Sequence, residues 1–284
     1  MIVVTGATGG LGAATVEHLL ARVPGDRIGV SVRDPAKARH LADRGVRVWQ
    51  ASYEDPAALR ASFAGAEQVL LVSGNDPSAD LVALHRNAVE AAVAAGAGRI
   101  LYTSQHGAAP GNPYTPTGIH IATEAVLSAS PVAWTALRNG AYGPLDQVLG
   151  PWQETGRIAQ PADGPVPYTD RDEVAEATAA LLAGERSFDG PVDLTAPRAL
   201  TFDDLAATAS QLTGRTITRV VVDDEQWVAD QAAQGLPEQA ARLVLAFHRA
   251  ARAGYFAKTT PLMAELLGRE PAGAAARLAQ DITT

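Results

Sequence analysis

Residues 2–12 read Ile-Val-Val-Thr-Gly-Ala-Thr-Gly-Gly-Leu-Gly, an apolar run that breaks into glycines and continues as a helical pattern over 13–21. A short β-branched run followed by helical periodicity predicts a buried strand and a helix, so the glycines must form the turn between them. Gly6 would give a tight exit from the strand, Gly9 close approach of backbone to a pyrophosphate, and Gly12 close packing of helix on strand. Free N–H groups in the first turn of such a helix, at the positive end of its dipole, favour an anion. The expectation is a dinucleotide held along Gly6, Ala7, Thr8, Gly9, Gly10, Leu11 and Gly12. The competing reading is a glycine turn that binds nothing.

Apolar runs at 2–4, 27–32, 47–49, 68–72, 99–103 and 133–137 alternate with helical patterns. That alternation predicts an α/β fold, a Rossmann-type doubly wound parallel sheet. Asp34-Pro35 and Asp55-Pro56 each pair a capping side chain with a proline at the first helical position, and a helix over 79–95 stops at Gly96. Beyond residue 143 the pattern loosens around Pro151, Pro161, Pro165 and Pro167. A helix over 172–183, a strand over 191–195 and a helix capped by Thr201 follow, with two or three further helices. We therefore expect a dinucleotide-binding domain over 1–150 to which 172–196 returns. Residues 151–171 and 197–284 would form a small, mainly helical substrate lobe at the sheet's carboxyl edge.

The balance of 23 basic and 31 acidic residues, net charge −8, speaks against a nucleic-acid partner. The absence of cysteine removes disulfides, thiolate metal sites and a cysteine nucleophile. A strand beginning at Ile2 and no apolar run of ~18 residues predict no leader and no membrane span, hence a cytoplasmic protein. Asp203-Asp204 and Asp223-Asp224-Glu225 read as helix starts, so no metal site is expected. Trp49, Trp134, Trp152 and Trp227 read as core or lobe-packing residues, with Trp152 and Tyr142 as possible walls of an aromatic-acceptor pocket.

At the end of the second strand stands Arg33, where a site preferring NAD usually places an acid on the ribose 2′-hydroxyl. A guanidinium grips a 2′-phosphate, and Lys37 adds a second positive charge, which points to NADPH. The alternative is a solvated charge partly satisfied by Asp34. Ser73, Gly74 and Asn75 end the fourth strand, where small residues admit the adenine ribose and pyrophosphate. Thr103 and Ser104 end the fifth, with hydroxyls for the nicotinamide ribose or the substrate. Leu137, Arg138, Asn139, Gly140, Ala141 and Tyr142 end the sixth, with an amide suited to the nicotinamide carboxamide. Alone, each is an ordinary strand-end turn.

The segments 5–12, Val-Arg-Asp-Pro-Ala-Lys-Ala at 32–38, Tyr102-Thr103-Ser104, His120-Ile121-Ala122-Thr123-Glu124 and Leu137-Arg138-Asn139-Gly140 resemble the NmrA-like, atypical short-chain dehydrogenase/reductase family over nearly the whole chain. Within it they are similar to the NADPH-dependent quinone oxidoreductase and triphenylmethane dye reductase branch. The resemblance implies NADP on the Rossmann domain, a C-terminal lobe forming the substrate pocket, and hydride transfer to an aromatic or conjugated small molecule. It carries the nucleotide contacts to Gly6 through Leu11, Arg33, Ser73 through Asn75 and Leu137 through Tyr142, and adds Tyr168. A homodimer is compatible with it.

Typical short-chain dehydrogenases use Tyr-x-x-x-Lys, the lysine lowering the phenol's pKa for proton transfer. Lys37 and Lys258 are the chain's lysines and neither lies four residues after a tyrosine; Ala125 stands where quinone reductase relatives often have a lysine. One explanation is an acceptor whose delocalised system takes hydride without a dedicated acid. Another places His120, with Glu124 one turn on, as acid or water-orienting group, with Tyr142 as a second catalytic candidate. A third is a non-catalytic NADP-sensing regulator. His85 reads as a packing histidine, and His106 and Tyr114 as loop residues near the substrate.

Overall fold

The structure is a computed structural model and describes residues 1–143 and 145–283. In chain order its elements are β1 Ile2–Thr5, α1 Gly10–Leu20, β2 Ile28–Val32, α2 Arg39–Ala42, β3 Arg47–Gln50, α3 Pro56–Ser62, β4 Gln68–Leu71, α4 Leu81–Ala94, β5 Arg99–Gln105, α5 Pro116–Ala129 and β6 Ala133–Asn139. There follow α6 Leu145–Leu149, α7 Trp152–Thr155, β7 Arg157–Gln160, α8 Arg171–Leu182, β8 Gly190–Leu194, α9 Phe202–Thr213, β9 Thr218–Val221, α10 Asp224–Ala233, α11 Glu238–Arg252, α12 Leu262–Leu267 and α13 Ala274–Thr283. They form two compact units. The first comprises Met1–Gln105, Ile119–Asn139 and Arg171–Leu194; the second comprises His106–Gly118, Gly140–Asp170 and the chain from Thr195 onward.

The first unit is a seven-stranded sheet in the order β3-β2-β1-β4-β5-β6-β8, parallel throughout. Its central strands are buried along their whole length, as strands covered on both faces must be. β1 pairs β2 on one side and β4 on the other, so the order reverses there, and the crevice beyond the carboxyl ends of β1 and β4 is where such sheets take ligands. One face is filled by Val3, Leu59, Phe63, Leu71, Ile100, Tyr102 and Leu127. On the other, α1 meets α8, with His18 Nε2 3.0 Å from Asp172 and Arg22 Nε 3.3 Å from Glu185.

The punctuation read from the sequence is largely what shapes these elements. Asp55 caps α3 by accepting from Ala58 N–H at 3.0 Å, and Gly96 ends the turn after α4 at φ +76°. Asp34 likewise accepts from Ala36 N–H at 3.0 Å, but the cap opens a 3₁₀ turn over Pro35–Ala38 followed by the single turn α2. The fourth helix starts at Leu81 behind the cap Asp80 rather than at residue 79.

In the second unit β7 and β9 form a parallel two-stranded sheet that sequence periodicity did not reveal, since each strand has only four residues, two of them polar. Arg219 braces this small sheet. Its side chain is 5% exposed, and its guanidinium, 5.1 Å from the ring centre of Phe202, donates to the carbonyls of Ile158, Gln160 and Pro161. Trp152, Tyr168, Phe202, Leu205 and Phe256 build the surrounding core, and Thr201 and Asp204 form a reciprocal capping box at α9. No helix among the described residues is long and apolar enough to cross a membrane.

Two glycines give opposite expectations. A Cβ on Gly12 would lie 2.3 Å from Gly6 O, a backbone atom that cannot step aside, whereas nothing lies within 4 Å of one on Gly118 in α5. In thermal or denaturant unfolding, Gly12→Ala should cost ~1–3 kcal/mol as an overpacked site does, and Gly118→Ala should be neutral or gain up to ~1 kcal/mol of helix propensity.

Candidate active site

The glycine turn divides into parts the fold needs and a part it does not. Gly6 leaves β1 at φ +60°, which favours glycine, and its carbonyl accepts Gly9 N–H at 2.9 Å while abutting Gly12. Gly9, the N-cap of α1, has ordinary extended backbone, and a Cβ there would come no nearer than 3.4 Å to Gly6 O. Packing explains Gly6 and Gly12; the bare backbone at Gly9 is exposed and fits close approach by a ligand. Thr8 and Gly10 are exposed beside it, while Ala7 and Leu11 point inward. No side chain caps α1, so the first-turn N–H groups of Gly10, Leu11 and Gly12 are unpaired by helix geometry and present donors. Arg171, at the start of α8, lies beside Gly10, within 2.9 Å of where its Cβ would be. No sequence signal marked it.

At the end of β2, Arg33 and Lys37 are exposed and make no ion pair among the described residues. Asp34 caps the following turn through Oδ1, and no ion pair between it and Arg33 is found among the described residues.

The segment after β4 is held by side chains from three elements. Val72 N–H donates to Thr5 Oγ1 at 2.9 Å, Ser73 N–H to Thr103 Oγ1 at 2.8 Å, and Gly74 N–H to His85 Nε2 at 3.0 Å. Tyr53 donates to Val72 O at 2.6 Å. Since an N–H can only donate, His85 Nε2 is unprotonated and its Nδ1–H donates to Thr123 Oγ1 at 2.9 Å. His85 is therefore a neutral anchor of this loop, and burial, with His120 nearby, pushes its pKa down to about 4. Its role goes beyond the packing inferred from its helix position. With these three backbone N–H groups committed, the loop's backbone suits a partner that brings donors, as a ribose or adenine does.

β5 and α5 meet by matched spacing. Tyr102 and Ser104, two apart on a strand, rise about 6.6 Å; His120 and Glu124, four apart on a helix, rise about 6 Å. Each strand residue thus finds its own helix partner. Tyr102 Oη lies 2.8 Å from His120 Nδ1, and Ser104 Oγ donates to Glu124 Oε1 at 2.7 Å. The expected pairing of His120 with Glu124 is not formed, because Glu124 is taken by Arg138, whose Nε and Nη2 donate at 2.9 and 2.6 Å. This hydrogen bond and charge raise the Arg138 pKa. Burial keeps the Tyr102 phenol protonated, and Thr123 is a second side-chain hydrogen-bond partner of that hydroxyl. Burial, with Arg138 nearby, holds His120 down to about 4. Thr103 and Leu137 are buried in the sheet.

Asn139, the last residue of β6, is 2% exposed, and neither its amide nitrogen nor its oxygen has a hydrogen-bond partner. An orphaned amide of this kind is costly unless a ligand completes it. The first unit thus carries first-turn N–H donors, an exposed guanidinium at Arg33 and an unsatisfied amide at Asn139, a set of groups whose chemistry fits an NADP molecule.

The remaining predicted residues belong to the second unit. There Ala141 O accepts Thr169 N–H at 2.8 Å, and a Cβ on Gly140 would meet Pro167 O at 2.9 Å. Tyr142 is partly exposed; Tyr168 is buried, which raises its pKa. Trp152 lies at 1% exposure inside this unit's core, so it packs rather than lines a pocket. His106 is buried too, Nε2 3.2 Å from Phe256 O, and Tyr114 packs edge-on against Phe247.

The model of a family described as NAD(P)H-binding matches residues 6–185. Quinone oxidoreductase 2 of Escherichia coli (strain K12) is 33% identical over 274 residues, 94% of each chain. The NmrA-like family domain-containing oxidoreductase flvB of Aspergillus flavus is 30% identical over 277 residues, covering 94% of this chain and 90% of that one. The crystal structure of an NADPH-dependent quinone oxidoreductase from Escherichia coli complexed with NADPH superposes with a TM-score of 0.92 at 31% identity over the whole of both chains. That of a Citrobacter sp. triphenylmethane reductase complexed with NADP(H) gives 0.89 at 32% identity over 99% of each.

Burial of neutral histidines has a consequence for acid stability. A histidine whose folded pKa lies below its unfolded 6.5 contributes stability that is complete above pH 6.5 and is lost as pH falls toward 4. For His85 the difference is on the order of 3 kcal/mol by pH 4. Denaturant titrations should show stability falling from pH 7 to pH 4, and His85→Gln should flatten that slope; an unchanged slope would show that His85 is charged in the folded state.

Proposed function

Because the chain belongs to the NAD(P)H-binding family, we propose that it is an NADPH-dependent oxidoreductase that passes hydride to a quinone-like or conjugated small molecule. The observation that carries this reading is the co-occurrence, in one unit, of a donor-rich glycine turn and a buried Asn139 amide that lacks any partner. Arg33 and Lys37 favour the 2′-phosphate form of the cofactor, since both are exposed cations without a direct ion pair among the described residues, although Asp76 lies close enough to Arg33 to feel its charge. When bound, NADPH supplies a hydride.

His120 and Tyr102 support this kind of acceptor. Burial holds the imidazole neutral at working pH and keeps the phenol protonated. The pair can orient and polarise but is a poor proton source. An acceptor that spreads or cancels the incoming charge, such as a quinone or a cationic dye, suits it better than an isolated ketone or aldehyde, which needs an acid. The Escherichia coli and Citrobacter proteins named above act, by their names, on quinones and triphenylmethanes, which supports this reading.

A regulatory NADP sensor is the second reading, favoured by the absence of a Tyr-x-x-x-Lys pair. It predicts binding without turnover.

Mixing the protein with NADPH and a panel of quinones, dyes and enones, and following the nicotinamide absorbance, should reveal acceptor-dependent oxidation. None across the panel would overturn the enzymatic reading. Arg33→Ala should weaken NADPH binding at least tenfold while leaving NADH within about twofold; equal losses would remove Arg33 as the discriminator. His120→Ala should lower kcat less than tenfold, and kcat should be flat from pH 6 to 9, because His120 titrates near 4. A fall of ~10² or more would make His120 the general acid.

A further inference from the structure

Glu124 is 7% exposed, and its carboxylate accepts from Ser104 Oγ, Arg138 Nε and Arg138 Nη2 at 2.7, 2.9 and 2.6 Å. Ser104 and Arg138 are directly opposed in the β5–β6 ladder, one rung before Gln105 and Asn139. A single side chain from α5 therefore clasps both strands where they reach the carboxyl edge. Desolvating a carboxylate and a guanidinium for this purpose is not a cheap way to gain stability, since an apolar pair of similar volume does as well.

We propose that Glu124 is a positioning residue for the nucleotide site: it commits the Ser104 hydroxyl proton inward, so that Ser104 meets the bound dinucleotide only as a hydrogen-bond acceptor, and it holds in register the rung next to Asn139. The inference rests on the nucleotide site and activity proposed above. A serine hydroxyl has one proton and two lone pairs. With the proton given to Glu124 Oε1, whatever meets the oxygen must bring a donor. A ribose hydroxyl or the N–H of a carboxamide qualifies. A quinone oxygen, which only accepts, does not, so Ser104 does not polarise the hydride acceptor. Its contribution is to place the hydride donor.

The test compares wild type, Glu124→Gln, Ser104→Ala and the double variant by NADPH affinity, kcat with a quinone, and the primary deuterium isotope effect from NADPH labelled at the transferring position. Glu124→Gln should lower kcat tenfold or more and raise the isotope effect, because poor placement slows hydride transfer itself, while the NADPH Kd changes less than tenfold. Ser104→Ala keeps the Glu124–Arg138 pair, and so the fold. It should move kcat and the isotope effect the same way, and the double variant should be no worse than Glu124→Gln.

A purely structural role would lower the active fraction with the isotope effect unchanged, and that result overturns the inference. So would wild-type behaviour of Ser104→Ala or additive losses in the double variant. Wild-type protein that neither binds nor oxidises NADPH would overturn the preceding reading and this one with it; wild-type turnover with an unaltered Glu124→Gln overturns this inference alone.

Discussion

Backbone hydrogen bonding at the carboxyl edge of the sheet is the constraint from which the site follows. Where strands end, N–H groups lose their ladder partners and must be satisfied or shown to a ligand. The chain solves this differently on the two strands that flank the switch point. After β1 it adds no capping side chain, and the first turn of α1 shows its N–H groups outward. After β4 it spends Thr5, Thr103 and His85 on three successive N–H groups. The backbone of the first edge therefore donates and that of the second accepts, and the difference is set by side chains on neighbouring elements.

The same logic keeps the polar interior of the first unit uncharged where it can be. His85, buried, and His120, partly buried, are both neutral, and a backbone N–H fixes the tautomer of His85. The charged exception, Glu124 with Arg138, is bidentate and further satisfied by Ser104, as a buried ion pair needs to be if it is not to cost stability.

What could be read from the chain is what depends on near neighbours. Strand β1, the glycine turn, the caps at Asp55 and Thr201 and the stop at Gly96 all rest on residues a few positions apart, and the local signals sufficed. At Asp34 the capping chemistry was legible but the length of helix behind it was not, because tertiary packing decides how far a capped turn propagates. Partner choice was illegible for the same reason. Glu124 lies one turn from His120, yet Arg138 takes it, from the strand that follows α5. The β7–β9 pair was hidden by its brevity, and the anchoring of Gly74 by His85 joins residues whose pairing no spacing announces. Asn139 was legible by position; that its amide is orphaned was not.

The loop over Val72, Ser73 and Gly74 has already given away its backbone hydrogens, and Val72 O is taken by Tyr53; what remains are backbone carbonyls and the Ser73 hydroxyl, whose oxygen accepts from Thr103 Oγ1 and so keeps its proton. A molecule that docks on the loop's backbone is recognised by what it can give. Hydroxyls and primary amides suit those carbonyls, while an acceptor finds a hydrogen at the Ser73 side chain. Chemical mimics meant to occupy that part of the crevice should therefore be built around O–H and N–H groups, with their acceptors turned toward the opposite lip, where the first turn of α1 still has hydrogens to lend.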